Sequence, residues 1–202
     1  MKQTKVAILI FDDVEILDFC GPYEVFGVTG GDLNESKPFE VYTVAQENRP
    51  IIARNHLSVN PAYRLADCPQ PDILLVPGGW GTRREIRNQT VIDWIQQQSQ
   101  AAELVLSVCT GALLLAKAGL LHGLAATTHH SAIALLRKLA PNTDVREDAR
   151  VVDNGRIILS AGISAGIDMS LYVVAKRLGE AEAIATAQEM EYQWQPVSVA
   201  QV

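Results

Sequence analysis

Leu104-Val105-Leu106-Ser107-Val108-Cys109-Thr110-Gly111-Ala112 is the most informative stretch of this chain. It opens as an apolar run, Leu104 to Val108, suited to a buried strand and passes into a helical pattern with no loop between the two. A residue at such a junction sits on a sharp turn at the C-terminal edge of a sheet. Ser107-x-Cys109-x-Gly111 carries the small-x-nucleophile-x-small spacing of that elbow. Clefts at that edge are the usual ligand sites of open α/β sheets. A helix N-terminus also places partial positive charge beside the sulfur, so we read Cys109 as a nucleophile and expect it to be more thiolate-like than Cys20 or Cys68. The alternative role for a free cysteine is apolar packing.

The same alternation continues on both sides of the elbow. Apolar runs at Val6 to Ile10, Phe39 to Val44, Ile73 to Val76 and Ile157 to Ser160 read as further strands, each followed by glycine or proline. Helical spacing fills the gaps at Pro22 to Val28, Thr90 to Ala101, Gly111 to Ala118, Ser131 to Leu139 and Ala165 to Leu178. Pro22 is placed in a first turn, where a missing N–H costs nothing. Arg150 to Ser160 predicts a hairpin around Asn154-Gly155, and Ile51 to Val59 a second, irregular strand pair. Strands alternating with helices predict an α/β fold, a mostly parallel sheet with helices on both faces. Nothing divides the chain, so we expect one domain over residues 1–190 and a C-terminal tail, or an arm reaching a partner, over 191–202.

Composition narrows the function. With 48% hydrophobic and 20% charged residues, the 202-residue chain is ordinary for a globular protein. A net charge of -6 supplies no Lys/Arg excess to displace counterions from a phosphate backbone, so nucleic acid is not an expected partner. The apolar start Val6 to Phe11 is too short for a signal-peptide core and runs into Asp12-Asp13, and no later stretch approaches a membrane span. A cytoplasmic location is expected. Three cysteines with no C-x-x-C or Cys/His metal spacing suggest neither a disulfide framework nor a zinc site.

Other polar residues gather at strand ends. Pro77-Gly78-Gly79-Trp80-Gly81 has the features of a backbone-donor loop whose N–H groups, with the one after the nucleophile, would form an oxyanion hole. Alone, such a glycine pair is a turn. Asp18, ahead of a helix in an apolar setting, suits either a helix N-cap or acid–base work on a substrate. His129 and His130 follow Thr127-Thr128, and either suits a simple loop as well. Trp80 and the pair Arg83-Arg84 flank the donor loop, where they form a solvated basic segment or give the pocket selectivity.

Taken in order, Leu17-Asp18-Phe19-Cys20-Gly21-Pro22, Val76-Pro77-Gly78-Gly79, Ser107-Val108-Cys109-Thr110-Gly111, Ala118-Gly119-Leu120-Leu121, Thr127-Thr128-His129 and Ala161-Gly162-Ile163-Ser164-Ala165-Gly166-Ile167-Asp168 resemble the ThiJ/PfpI family. This is a branch of the class I glutamine amidotransferase-like superfamily, and within it the chain is most similar to the isocyanide (isonitrile) hydratases. The resemblance implies a flavodoxin-like three-layer sandwich. It implies Cys109 as nucleophile, Asp18 as the carboxylate hydrogen-bonded near it, Thr110 as the neighbour that tunes the thiol, and Gly79 as a backbone donor. Gly78, Trp80 and His129 are the expected substrate-binding residues. The family usually has glutamate where Asp18 stands, and its hydratase-like branch has aspartate.

Departures from the family pattern bear on activity. An amidotransferase triad needs a histidine far downstream, whereas the last one here is His130. Peptidase-like members carry histidine directly after the nucleophile, where this chain has Thr110. His129 lies 129 − 109 = 20 positions after Cys109, leaving a loose Cys-His pairing open, and His130 stands where hydratase-like members often have tryptophan. The expected activity is hydration of a small carbon–nitrogen compound, with an isocyanide becoming an N-substituted formamide, and this chemistry needs no metal or organic cofactor. A stand-alone ligand- or redox-sensing domain, and glyoxalase- or amidase-like activity, use the same cysteine. The partners expected are a small-molecule substrate and a second copy of the chain, the latter from the family and from the apolar helix Pro22 to Val28.

Overall fold

The computed structural model describes residues 3–31, 37–196 and 199–201. In chain order the first half comprises β1 (Thr4–Leu9), α1 (Ile16–Val28), β2 (Phe39–Ala45), β3 (Ile51–Ile52), β4 (Ser58–Val59), β5 (Tyr63–Arg64), β6 (Ile73–Val76), α2 (Thr82–Glu85) and α3 (Gln89–Ala101). The second half comprises β7 (Leu104–Val108), α4 (Gly111–Lys117), β8 (Ala125–Ala126), α5 (Ile133–Leu139), β9 (Asp144–Val145), β10 (Val151–Asp153), β11 (Ile157–Ser160), α6 (Ala165–Leu178), α7 (Glu180–Glu189) and β12 (Val199–Gln201).

Eight of the described strands form one sheet in the order β12-β10-β11-β7-β6-β1-β2-β5. From β11 to β5 all neighbours are parallel, while β10 runs antiparallel to β11. Strands β6 and β7 are buried at every residue, which requires cover on both faces of the sheet. Two helix groups supply it: α1, α6 and α7 pack on one another, as do α2, α3, α4 and α5. The result is the α/β architecture expected from the alternation of apolar runs, in the flavodoxin-like form that the family resemblance implies.

Register brings the two punctuated strand ends together. Val76 of β6 pairs with Ser107 of β7, so Pro77-Gly78-Gly79 and Cys109-Thr110 leave the sheet side by side. Gly79 also forms an antiparallel bridge with Val14, tying that edge to the segment that enters α1.

Several expectations change. Helix α1 begins at Ile16, six residues before Pro22, and carries the proline in its interior. The apolar side chains Phe19, Val25 and Phe26 of α1 are spent on the protein's own core, and Leu17 and Tyr23 stay exposed. The segment expected as a tail is partly structured: Val199–Gln201 adds to the sheet parallel to β10, and the Tyr192 hydroxyl donates to Asp168 Oδ1 at 3.0 Å. Val197, Ser198 and Val202 of that segment lie outside the described residues. The hairpin around Asn154-Gly155 and the antiparallel pair within Ile51 to Val59 are both present.

Candidate active site

Cys109 adopts φ +56°, a left-handed conformation rare for a side chain with a Cβ, at the junction of β7 and α4. The surroundings hold it there. Its N–H donates to the carbonyls of Ser160 (3.2 Å) and Ala161 (3.1 Å), and its own carbonyl accepts from the Thr128 hydroxyl at 2.7 Å. Immediately after it, α4 approaches β6 so closely that a Cβ on Gly111 would stand 2.0 Å from the Val76 carbonyl oxygen. The elbow therefore requires glycine at that position.

Asp18 is fully buried in the first turn of α1, where Glu15 holds the N-cap position. It does not cap its helix. Its Oδ2 accepts from the N–H of Gly78 at 3.1 Å, and the carboxyl shares a hydrogen bond with the Cys109 thiol. Oδ1 has no hydrogen-bond partner among the described residues, so its burial goes uncompensated. Burial raises the Asp18 pKa from 3.8 to about 7, against the lowering effect of the bonds from Cys109 and Gly78.

Burial also pushes the Cys109 thiol well above its ordinary range. The charge of Asp18 adds to this, and the N–H and hydroxyl of Thr110 oppose it. Cys68 is raised to about 11 and Cys20 is raised too, both chiefly by burial. The expectation that the helix N-terminus makes Cys109 the most thiolate-like of the three is therefore corrected, because desolvation of the sulfur outweighs it. The two groups are coupled, and the one proton that the pair keeps above about pH 7 resides mainly on the sulfur, the carboxyl being the stronger acid.

The two glycines serve differently from expectation. The Gly79 N–H donates to the Thr110 hydroxyl oxygen at 2.9 Å, while Thr82 Oγ1 donates to the Gly79 carbonyl at 2.8 Å. Both glycine N–H groups are thus engaged within the protein, Gly78 by Asp18 and Gly79 by Thr110, so neither is free as an oxyanion donor. Their work is positional. A Cβ on Gly78 would lie 2.4 Å from Thr110 N and 2.9 Å from Asp18 Oδ2, so any side chain there would part the carboxyl from the elbow.

Above the sulfur is a pocket of about 310 Å³, lined by Cys109, Thr110, Gly79, Trp80, Arg83 and His129 together with the Glu15–Arg54 ion pair. Gly78, expected to bind substrate, does not line it, its N–H being taken by Asp18. Trp80 is 63% exposed and has the Arg83 guanidinium 4.9 Å above its ring centroid. His129 Nδ1 lies 2.8 Å from Ser131 Oγ, and its ring centroid is 4.2 Å from that of His130, the planes tilted by 37°. Burial, then His130 and Arg83, lower the His129 pKa. The groups that shift the thiol are Asp18 and Thr110, so the open Cys-His pairing becomes a histidine on the pocket wall. Sequence patterns missed Thr82, Thr128, Glu15 and Arg54. Thr128 stood in a quoted motif, whereas Arg54 arrives from a distant loop with no local signal. A second cleft, of about 180 Å³, lies over β1 and β2 between the Asp12–Arg49 and Arg84–Glu85 pairs and holds no nucleophile.

An α/β sheet with a buried carboxyl against an elbow cysteine defines a known class, and residues 4–176 match the DJ-1/PfpI family: the chain belongs to it. Among individual relatives it is 34% identical to isonitrile hydratase of Pseudomonas putida over 93% of this chain and 78% of that protein. It is 23% identical to the HTH-type transcriptional regulator GbdR of Pseudomonas aeruginosa, of whose length it spans about half (50%). A crystal structure of a ThiJ/PfpI family protein from Pseudomonas syringae superposes with a TM-score of 0.86 at 28% identity, over 97% of this chain and 78% of that one.

Proposed function

We propose that this chain is a cysteine-dependent hydratase that converts an isocyanide to an N-substituted formamide. The observation that carries the reading is the Asp18 carboxyl, buried against Cys109 with a pKa of about 7. That value suits a group asked to give and take protons at neutral pH. The similarity to isonitrile hydratase agrees with it.

The cycle starts with one proton on the Asp18–Cys109 pair, and it passes from the sulfur to the carboxylate as the nucleophile forms. The thiolate adds to the terminal isocyano carbon, and Asp18 delivers its proton to that carbon, giving a thioimidate, R–N=CH–S. Asp18, now a carboxylate, takes a proton from water as the oxygen attacks the same carbon, and that proton passes to nitrogen. The tetrahedral adduct then expels the Cys109 thiolate, its hydroxyl proton returning to Asp18. One water is consumed, one formamide leaves, and the pair is restored. Thr110, through its N–H and hydroxyl, stabilises the sulfur anion at the start and end of the cycle.

The test is turnover of a panel of isocyanides, 2-oxoaldehydes and small amides by the wild type and by Cys109→Ser. Formamide from an isocyanide, lost in Cys109→Ser, is the expected result. A folded, alkylatable wild type that turns over no isocyanide would overturn the substrate. The similarity to transcriptional regulators favours a second reading, a ligand-sensing domain. It predicts binding to the same pocket without turnover.

A further inference from the structure

We infer that the pocket is built for a substrate carrying a carboxylate, with Arg83 as the residue that selects it. This rests on the hydratase reading for the reacting group and goes beyond it in naming the rest of the molecule. The pocket wall carries two arginines. Arg54 is matched by Glu15 at 3.4 Å, and Arg84, next in sequence, turns away to Asp13 and Glu85. Arg83 has no carboxylate partner among the described residues: its Nη1 donates to the Gly79 carbonyl (3.2 Å) and to Thr82 Oγ1 (3.3 Å). Its Nε and Nη2 remain, enough for the two parallel bonds by which a guanidinium holds a carboxylate.

Position makes this a selecting cation rather than a solvated one. Half-buried, Arg83 is fixed from below by the carbonyl of Gly79, the residue bonded to Thr110, and from the side by the Trp80 ring at 4.9 Å. A guanidinium so oriented loses little freedom on taking up a ligand. Its charge reaches across the pocket to His129, whose pKa it helps to lower, so that ring is neutral near pH 7 and adds no second cation. The acid on the wall, Glu15, is neutralised by Arg54 and does not oppose an incoming anion. Trp80, largely exposed beside Arg83, offers an apolar flank for the carbon skeleton between carboxylate and isocyano group.

Binding separates this from the hydratase reading. In the Cys109→Ser variant, N-formylglycine and its uncharged amide are compared by calorimetry, with circular dichroism to verify folding. The acid is expected to bind at least about tenfold more tightly, the difference disappearing in Arg83→Gln and partly returning in Arg83→Lys. Equal affinity for acid and amide, survival of the difference in Arg83→Gln, or no binding of either at millimolar concentration would overturn the inference. In turnover, the kcat/KM ratio of isocyanoacetate to isocyanoacetamide should exceed about tenfold in the wild type and collapse in Arg83→Gln. Turnover of both isocyanides with no preference removes the anion site and leaves the hydratase standing. Selective binding of N-formylglycine without isocyanide turnover does the reverse.

Discussion

Asp18 and Cys109 titrate as a pair, and this sets the pH dependence expected of the site. The first proton leaves with an apparent pKa of about 7, and only the singly protonated pair combines a thiolate with a proton to donate. Alkylation of Cys109 and formamide production should therefore both rise as pH increases through about 7, whereas a thiol acting alone in this burial would require strongly alkaline solution. Asp18→Asn keeps the shape and removes the proton carrier, so turnover should fall by about 10²- to 10⁴-fold. Stability changes in the opposite sense. Because the folded pKa of about 7 exceeds the ordinary 3.8, the contribution of this carboxyl is fully present below the lower value and is lost as pH rises through the upper one. Urea unfolding should show the wild type losing stability from about pH 4 to about pH 7 relative to Asp18→Asn, and a pH-independent difference would contradict the assignment. The elbow cysteine and the carboxyl packed against it were legible in the sequence because each lies in a short motif. The destination of the Gly78 and Gly79 N–H groups was not, since it depends on which distant side chain fills the space above them.

Among the elements, the strand-to-helix junctions were the most legible and the helix starts the least. Strand β7 was predicted over the range observed because its apolar run ends in an elbow whose geometry tolerates few residues. Proline misled the prediction of α1: its locked φ suits a first turn, yet packing of Phe19, Val25 and Phe26 into the core extends the helix through it. Helix α7 was missed because Glu180–Glu189 buries only the small residues Ala183, Thr186 and Ala187, too weak a stripe to stand out. Close approach of α4 to β6 makes a further prediction. Gly111→Ala must displace either helix or strand by more than a side-chain adjustment, and should cost about 1–3 kcal/mol in chemical denaturation and slow Cys109 alkylation. An unchanged denaturation midpoint would show that the elbow relaxes more readily than its contacts imply.

For the molecule as a whole, the proposal of a homodimer now has a narrower basis. The apolar face of α1 is consumed internally, and what that helix still offers a second copy is Leu17 and Tyr23. Light scattering at micromolar concentration should nonetheless give twice 22.0 kDa, and a Tyr23→Glu variant should shift the population toward the single chain. A wild type that scatters only as 22.0 kDa excludes the dimer.

Strand direction carries one more implication. Because β10 reverses relative to β11 and β12 follows β10, Gln201 arrives at the same sheet edge from which Thr4 departs, opposite the edge that bears Cys109. Anything tethered at either end, whether a surface linker or a fused partner domain, would hang from the back of the sheet and leave the pocket mouth clear. The fold can thus be immobilised or spliced into a longer polypeptide without obstructing its own entrance.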